Sequence, residues 1–126
     1  MPITEDEALA DINHHIDSIV SYRQEHAERF PDDDRNQGAV TLVEGLRPQV
    51  QQLAGTDALT RYMQAHDAVW LQGNDGLYEE WSRYGGRIGF DHFPGDIFEF
   101  VNGYVEIASR QFAGLRATSE VQPPRP

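Results

Sequence analysis

Apolar positions recur along the N-terminal quarter at Leu9, Ile12, Ile16, Ile19, Val20, Ala27 and Phe30, a spacing that lays one stripe along an α-helix. The start of that helix is marked by Thr4 and Glu7, the two side chains of a capping box. Ile3 is placed to staple onto Ala8, and Glu5, Asp6 and Glu7 set negative charge on the positive end of the helix dipole. The pattern predicts a helix to about Arg29, ended before Pro31, with PDDDR as a loop. A second stretch begins near Asn36 and carries Val40, Val43, Leu46, Val50 and Leu53. Pro48 removes a hydrogen-bond donor inside it, so a kink or two short helices are expected.

Gly55 ends that stretch, and Thr56 caps a third helix whose inward face is expected to hold Leu59, Met63, His66 and Trp70, closed by Gly73. A turn through Asn74 to Gly76 leads into a short helix anchored by Leu77 and Trp81 and stopped by Gly85 and Gly86. The segment RIGFDHFPG is expected to be a loop or brief extended piece pinned by Phe90 and Phe93. Asp96 and Glu99 then open a last helix, with Ile97, Val101, Tyr104, Ala108, Phe112 and Leu115 inward. No alternating strand pair and no repeat is present. The fold class expected is all-α: a single-domain bundle of four main helices plus a short helix, kinked near Pro48. Residues 1–116 form the helical domain and 117–126 a disordered, Pro-rich tail.

A chain of 126 residues suffices for one core. It contains no cysteine, which excludes disulfides, thiolate metal sites and cysteine nucleophiles. No run approaches the roughly 18 apolar residues of a membrane span, and the acidic start MPITEDEALADI is unlike a signal peptide. A cytoplasmic protein is therefore expected. Charge changes the picture more. The net charge is −11, every base is arginine, and residues 1–34 hold ten acids against Arg23 and Arg29. Such a field repels nucleic acid and anionic membrane and steers toward basic proteins.

The candidate chemistry is sparse. Asp11, His15, Tyr22 and His26 lie along one flank of the first helix, while His14 points away from the apolar stripe. Asp11 and His15, four apart, are spaced to share a metal or to form a charged pair at the edge of the core. The His66-Asp67 dipeptide resembles the adjacent ligands of all-helical metal phosphohydrolases, which need further histidines and a distant aspartate; His92 and Asp91 are those on offer downstream. His66 is expected to be a core histidine and Asp67 to face water. None of the five serines lies in a nucleophile elbow, and neither GNDG nor YGGRIG has phosphate-cradle spacing. Glu79 and Glu80 diverge by about 100° on a helix and do not face a common substrate.

The octet Asn74-Asp75-Gly76-Leu77-Tyr78-Glu79-Glu80-Trp81 resembles the Asn-Gly-Gly-Phe-x-Gln-aromatic-aromatic element of a family of small, acidic, helical proteins, one of whose members is a DNA mimic that binds a transcription regulator. Asn74 and Gly76 match; Leu77 stands for the Phe, Glu79 for the Gln and Trp81 for the second aromatic. Asp75 and Glu80 depart from the pattern. The resemblance implies an acidic surface that competes with nucleic acid for a basic protein.

Three classes of function follow. The first is a non-enzymatic, cofactor-free module that masks or inhibits a basic partner, such as a nucleic-acid-binding protein, a nuclease or a toxin, as DNA mimics, inhibitors and immunity proteins do. Its contact surface is expected to be Glu25, Glu28, Asp32, Asp33 and Asp34 at the densest negative edge, with Tyr78, Glu79 and Glu80 as an acidic, aromatic ledge. The second is a small metal-dependent hydrolase using His15, His26, His66 or His92. The third is a structural subunit that forms homo-oligomers, a homodimer among them, through an exposed patch of Tyr62, Tyr78, Trp81 and Tyr84.

Overall fold

In the computed structural model, which describes residues 2–71 and 75–110, the first helix begins where its cap predicts. Thr4 Oγ1 accepts a hydrogen bond from Glu7 N at 3.2 Å, and Glu7 Oε1 accepts one from Thr4 N at 2.9 Å. Hydrogen bonding from Thr4, its backbone N–H above all, holds the Glu7 carboxyl below its usual range. Helix α1 runs Glu5–Arg29 and buries Ala8, Leu9, Ile12, Ile16, Ile19 and Val20. The stripe does not continue to its end as expected. Phe30 is exposed, and the inward position is taken by Arg23, buried with Asn36. Phe90 supplies the cover that makes this possible, its ring lying 4.0 Å from the Arg23 guanidinium carbon.

Helix α2 spans Arg35–Leu46 and passes at Arg47 into a 3-10 segment, Arg47–Leu53, with Pro48 in its first turn. Proline has no N–H to give the preceding turn, and the tighter segment is how the expected break is realised. Helix α3, Asp57–Leu71, is capped by Thr56, whose Oγ1 accepts from Leu59 N at 3.3 Å. Its inner face is rotated from the expected one. Leu59, Tyr62, Ala65 and Val69 are buried, Met63 and His66 are only half-buried, and Trp70 is exposed. Tyr62 can turn inward because its hydroxyl finds an acceptor inside the bundle, described below. Asp67, expected to face water, accepts a hydrogen bond from Ile3 N at 3.1 Å and so ties α3 to the start of α1.

Helix α4 covers Asp75–Arg87 and passes straight through Gly85 and Gly86. Glycine alone does not stop a helix; a stop needs the backbone to leave the helical region. That happens at Gly89, with φ +87° and Ala39 Cβ 2.6 Å from where a side chain would begin. Gly85 serves close packing instead, since a Cβ there would meet Ile19 Cγ1 at 3.2 Å. The following loop is pinned by fully buried Ile88, while Phe93 is exposed. Helix α5, Ile97–Ser109, opens with Asp96 accepting from Glu99 N at 2.8 Å and buries Ile97, Phe100, Val101, Tyr104 and Ala108.

The five helices pack into one bundle: α1 lies against α2, the 3-10 segment, α3 and α4, and α5 lies against α3 and α4. The β pairing among the described residues is a single bridge between Ile88 and His92. No helix among them is long and apolar enough to cross a membrane. The expected roles of Gly73, Phe112, Leu115 and the tail 117–126 fall outside the described residues.

Candidate functional site

Four helices each send one ring to a common point. His15 of α1 stacks on Tyr104 of α5 at 4.4 Å between centroids and 20° between planes. Trp81 of α4 stands edge-on to His15 at 5.9 Å, and Tyr62 of α3 stacks on Trp81 at 5.7 Å. Offset and edge-to-face contacts of this kind add to the area these rings bury. The Trp81 indole is satisfied by donating to Tyr104 O at 2.9 Å.

The polar atoms of the cluster form a chain. The Tyr62 hydroxyl donates a very short hydrogen bond to Asp11 Oδ2, and its oxygen lies 2.8 Å from His15 Nε2. The direct His15–Asp11 separation is 3.6 Å. Burial pulls the His15 imidazole down to a pKa of about 4, against the opposing pull of Asp11. At neutral pH Asp11 and His15 are therefore not the charged pair expected from their spacing. They are the two ends of a relay through a buried tyrosine. Burial, and then the Asp11 charge, push the Tyr62 phenol well above its usual value.

Above this floor the bundle opens as a cleft of about 780 Å³ bordered by α1, the end of α3, α4 and Tyr104 of α5. Its volume is that of small-molecule sites. Trp70 and Tyr78, 4.7 Å apart, form one side of the mouth, and Tyr22, packed on His26 at 4.1 Å, lies on the α1 side. Trp70, Tyr22 and Tyr78 are 50%, 49% and 43% exposed. The expected aromatic surface of Tyr62, Tyr78, Trp81 and Tyr84 is thus corrected: Tyr62, Trp81 and Tyr84 are buried, because each hydroxyl or indole finds an internal partner, and Tyr78 alone of the four is exposed. A second hollow of about 440 Å³ between α4, α5 and the loop joining them mixes Arg83, Arg87 and Arg110 with Glu80, Glu99 and Glu106.

The acids at the end of α1 divide into two groups. Asp33 accepts from Arg35 N at 3.1 Å and from Arg35 Nε and Nη2 at 2.9 and 2.8 Å. These bonds pull its carboxyl down to a pKa of about 2. Glu25 lies 3.9 Å from Arg29 in an exposed pair. Glu28, Asp32 and Asp34 are exposed, the last at the cap position of α2. On α4, Tyr78 and Glu79 are exposed, and Glu80 is half-buried and lines the second hollow.

The histidines do not converge. His26 bonds Tyr22 O at 2.9 Å, His66 lies 3.3 Å from Asp67, and His92 packs on Tyr84 at 5.4 Å. Among the described residues no three His, Asp or Glu side chains meet in a way that could hold a metal ion. What sequence reasoning missed is the part played by Tyr62 and Tyr104. Asp11 and His15 announce themselves by a four-residue spacing, but Tyr62 reaches them from 47 positions beyond His15 and carries no local signal. Comparison with protein-family models, with curated proteins and with solved structures finds no match to this chain.

Proposed function

We propose that this chain is an acidic binding module that seats its exposed carboxylates in the basic site of a protein partner and masks it. The observation that carries the reading is the construction of the α1–α2 loop. Asp33 spends its charge clamping Arg35, and Asp33 N donates to Phe30 O at 3.0 Å, so the loop is braced from within. Asp32 and Asp34 are thereby presented to solvent on either side of a fixed residue, next to Glu28 at the end of a 25-residue helix. Carboxylates held in place before contact lose little freedom on binding, and their complementarity to a basic surface sets both encounter rate and partner choice. The resemblance of Asn74–Trp81 to an element of a family containing a DNA mimic supports the same class.

The test is capture of partners from the source cell by the wild-type chain and by a triple variant, Glu28→Gln, Asp32→Asn and Asp34→Asn. The expected partner is a basic protein whose affinity falls at least tenfold between about 0.05 and 0.5 M salt, as Debye screening requires. The triple variant releases it. An affinity that ignores both salt and the three substitutions overturns the proposal.

A further inference from the structure

The proton count of the buried relay leaves one acceptor unused. Tyr62 has one hydroxyl proton, and it goes to Asp11 Oδ2. The contact of 2.8 Å between Tyr62 Oη and His15 Nε2 must then be made by a proton on Nε2. A neutral imidazole carries only one proton, so Nδ1 of His15 holds a bare lone pair. Among the described residues no hydrogen bond reaches that nitrogen, and the His15 side chain borders the cleft. Tyr104 is the second observation. Its ring is buried, its hydroxyl makes no hydrogen bond among the described residues, and the residue lines the same cleft. Gly85 keeps that hydroxyl uncovered: a Cβ there would stand 3.6 Å from Tyr104 Oη. Two polar atoms in an aromatic floor, both unfilled by the protein, are what a ligand completes.

We infer that the cleft is a binding site for a small, neutral, planar heteroaromatic molecule bearing a ring N–H, which donates to His15 Nδ1 and lies among Tyr22, Trp70 and Tyr78. The half-exposed rings at the mouth supply the apolar faces. Neutrality follows from the rim: Arg83 and Arg87 on α4 oppose a cation, and Asp11 beneath His15 opposes an anion. The Tyr104 hydroxyl takes a second polar atom of the ring. This site is separate from the acidic loop proposed for partner masking, and each can fail without the other.

The probe is benzimidazole at pH 7.5, followed by amide chemical shifts and by tryptophan fluorescence, since Trp70 and Trp81 both border the cleft. The expected result is saturable binding with shifts confined to cleft residues, about tenfold tighter than for 1-methylbenzimidazole, the worth of one hydrogen bond. Tyr104→Phe, which keeps the stack on His15, weakens benzimidazole severalfold, and Trp70→Ala does the same from an exposed position. In His15→Phe the advantage over the methylated probe disappears. The Asp32→Asn, Asp34→Asn pair leaves benzimidazole binding unchanged. Absence of saturable shifts at millimolar probe, shifts centred elsewhere, or equal affinity for the two probes in the wild-type chain overturns the inference; Tyr104→Phe and Trp70→Ala preserve the test if His15→Phe does not fold.

Discussion

Helix α1 turns two basic side chains inward, half-buried His15 and buried Arg23, about two turns apart, and the protein accommodates them in opposite ways. His15 gives up its charge: burial pulls it to a pKa of about 4, and its Nε2 is fixed by Tyr62. Arg23 has no neutral form within reach. Burial lowers its pKa, yet the guanidinium stays charged. It is held by one hydrogen bond from Nη1 to Asn36 Oδ1 at 3.2 Å and by the faces of Phe90 and Tyr22 at 4.0 and 5.5 Å. Its Nε and Nη2 have no hydrogen-bond partner among the described residues. A group that can lose its charge is best buried in a proton relay. One that cannot must rely on π faces and accept incomplete satisfaction.

The largest expected effect comes from acidifying the solution. The folded pKa of His15 is below its unfolded value of 6.5, so as pH falls the unfolded chain takes the proton first. The contribution is fully present above about pH 6.5 and is lost progressively down to about pH 4, amounting to about 3 kcal/mol. Urea unfolding at pH 7 and at pH 4.5 measures it, and histidine NMR titration identifies the group. A stability that does not change across this window, or a His15 that titrates near 6.5, breaks the contrast with Arg23. Asp33, held down to about 2, takes up its proton only at more acid pH, so its own contribution is lost below about pH 4, under this window.

Next in size is Asn36→Leu. It removes the hydrogen-bond acceptor that Arg23 has and leaves a buried charge with its π contacts alone. The expected cost is about 2 kcal/mol in denaturant unfolding, within the range for hydrogen bonds to charged groups. A cost near zero would mean that Phe90 and Tyr22 hold the guanidinium unaided.

Tyr62→Phe tests the other cluster and costs about 1 kcal/mol. Its value lies in the second readout. Without the hydroxyl, Asp11 at 3.6 Å faces the His15 proton directly. The His15 pKa is then expected to rise from about 4. A pKa that stays or falls would show that Tyr62 is a packing residue and not the link of the relay.

The same contrast explains what the sequence discloses. Helix α1 and the last helix are legible because their caps are local: Thr4 with Glu7, and Asp96 with Glu99, are three residues apart and report nothing but their own turn. The break at Pro48 is legible for the same reason. The inner face of α3 is not, because Tyr62 turns inward only once Asp11, 51 positions away, is there to accept its proton. Gly85 misled for a related reason: a glycine that ends a helix and one that lets two helices touch look alike until Ile19 is seen 3.2 Å from the missing Cβ; Gly86, with open space around its own, simply lies within the helix. Arg23 occupies a stripe position that a polarity pattern assigns to solvent, and the Phe90 that covers it comes from a loop beyond α4.

The smallest expected effect is also the sharpest test of how Arg23 is tolerated. Arg23→Met replaces a charged side chain by an apolar one of similar length against the Phe90 ring. It removes the Nε and Nη2 groups that have no partner among the described residues but strands Asn36 Oδ1. Desolvating a charge costs several kcal/mol, so its removal offsets most of the lost attraction, and buried ionic groups replaced by well-packed apolar ones are often neutral or stabilising. The expected net change is within about 1 kcal/mol of zero, and Arg23→Met combined with Asn36→Leu is more stable than Asn36→Leu alone because no buried charge is left behind. If Arg23→Met instead costs as much as Asn36→Leu, the stack on Phe90, whose ring centroid also lies 4.4 Å from the Arg35 guanidinium carbon, contributes more than burial takes away, and Arg23 belongs with His15 as a group the bundle is built around.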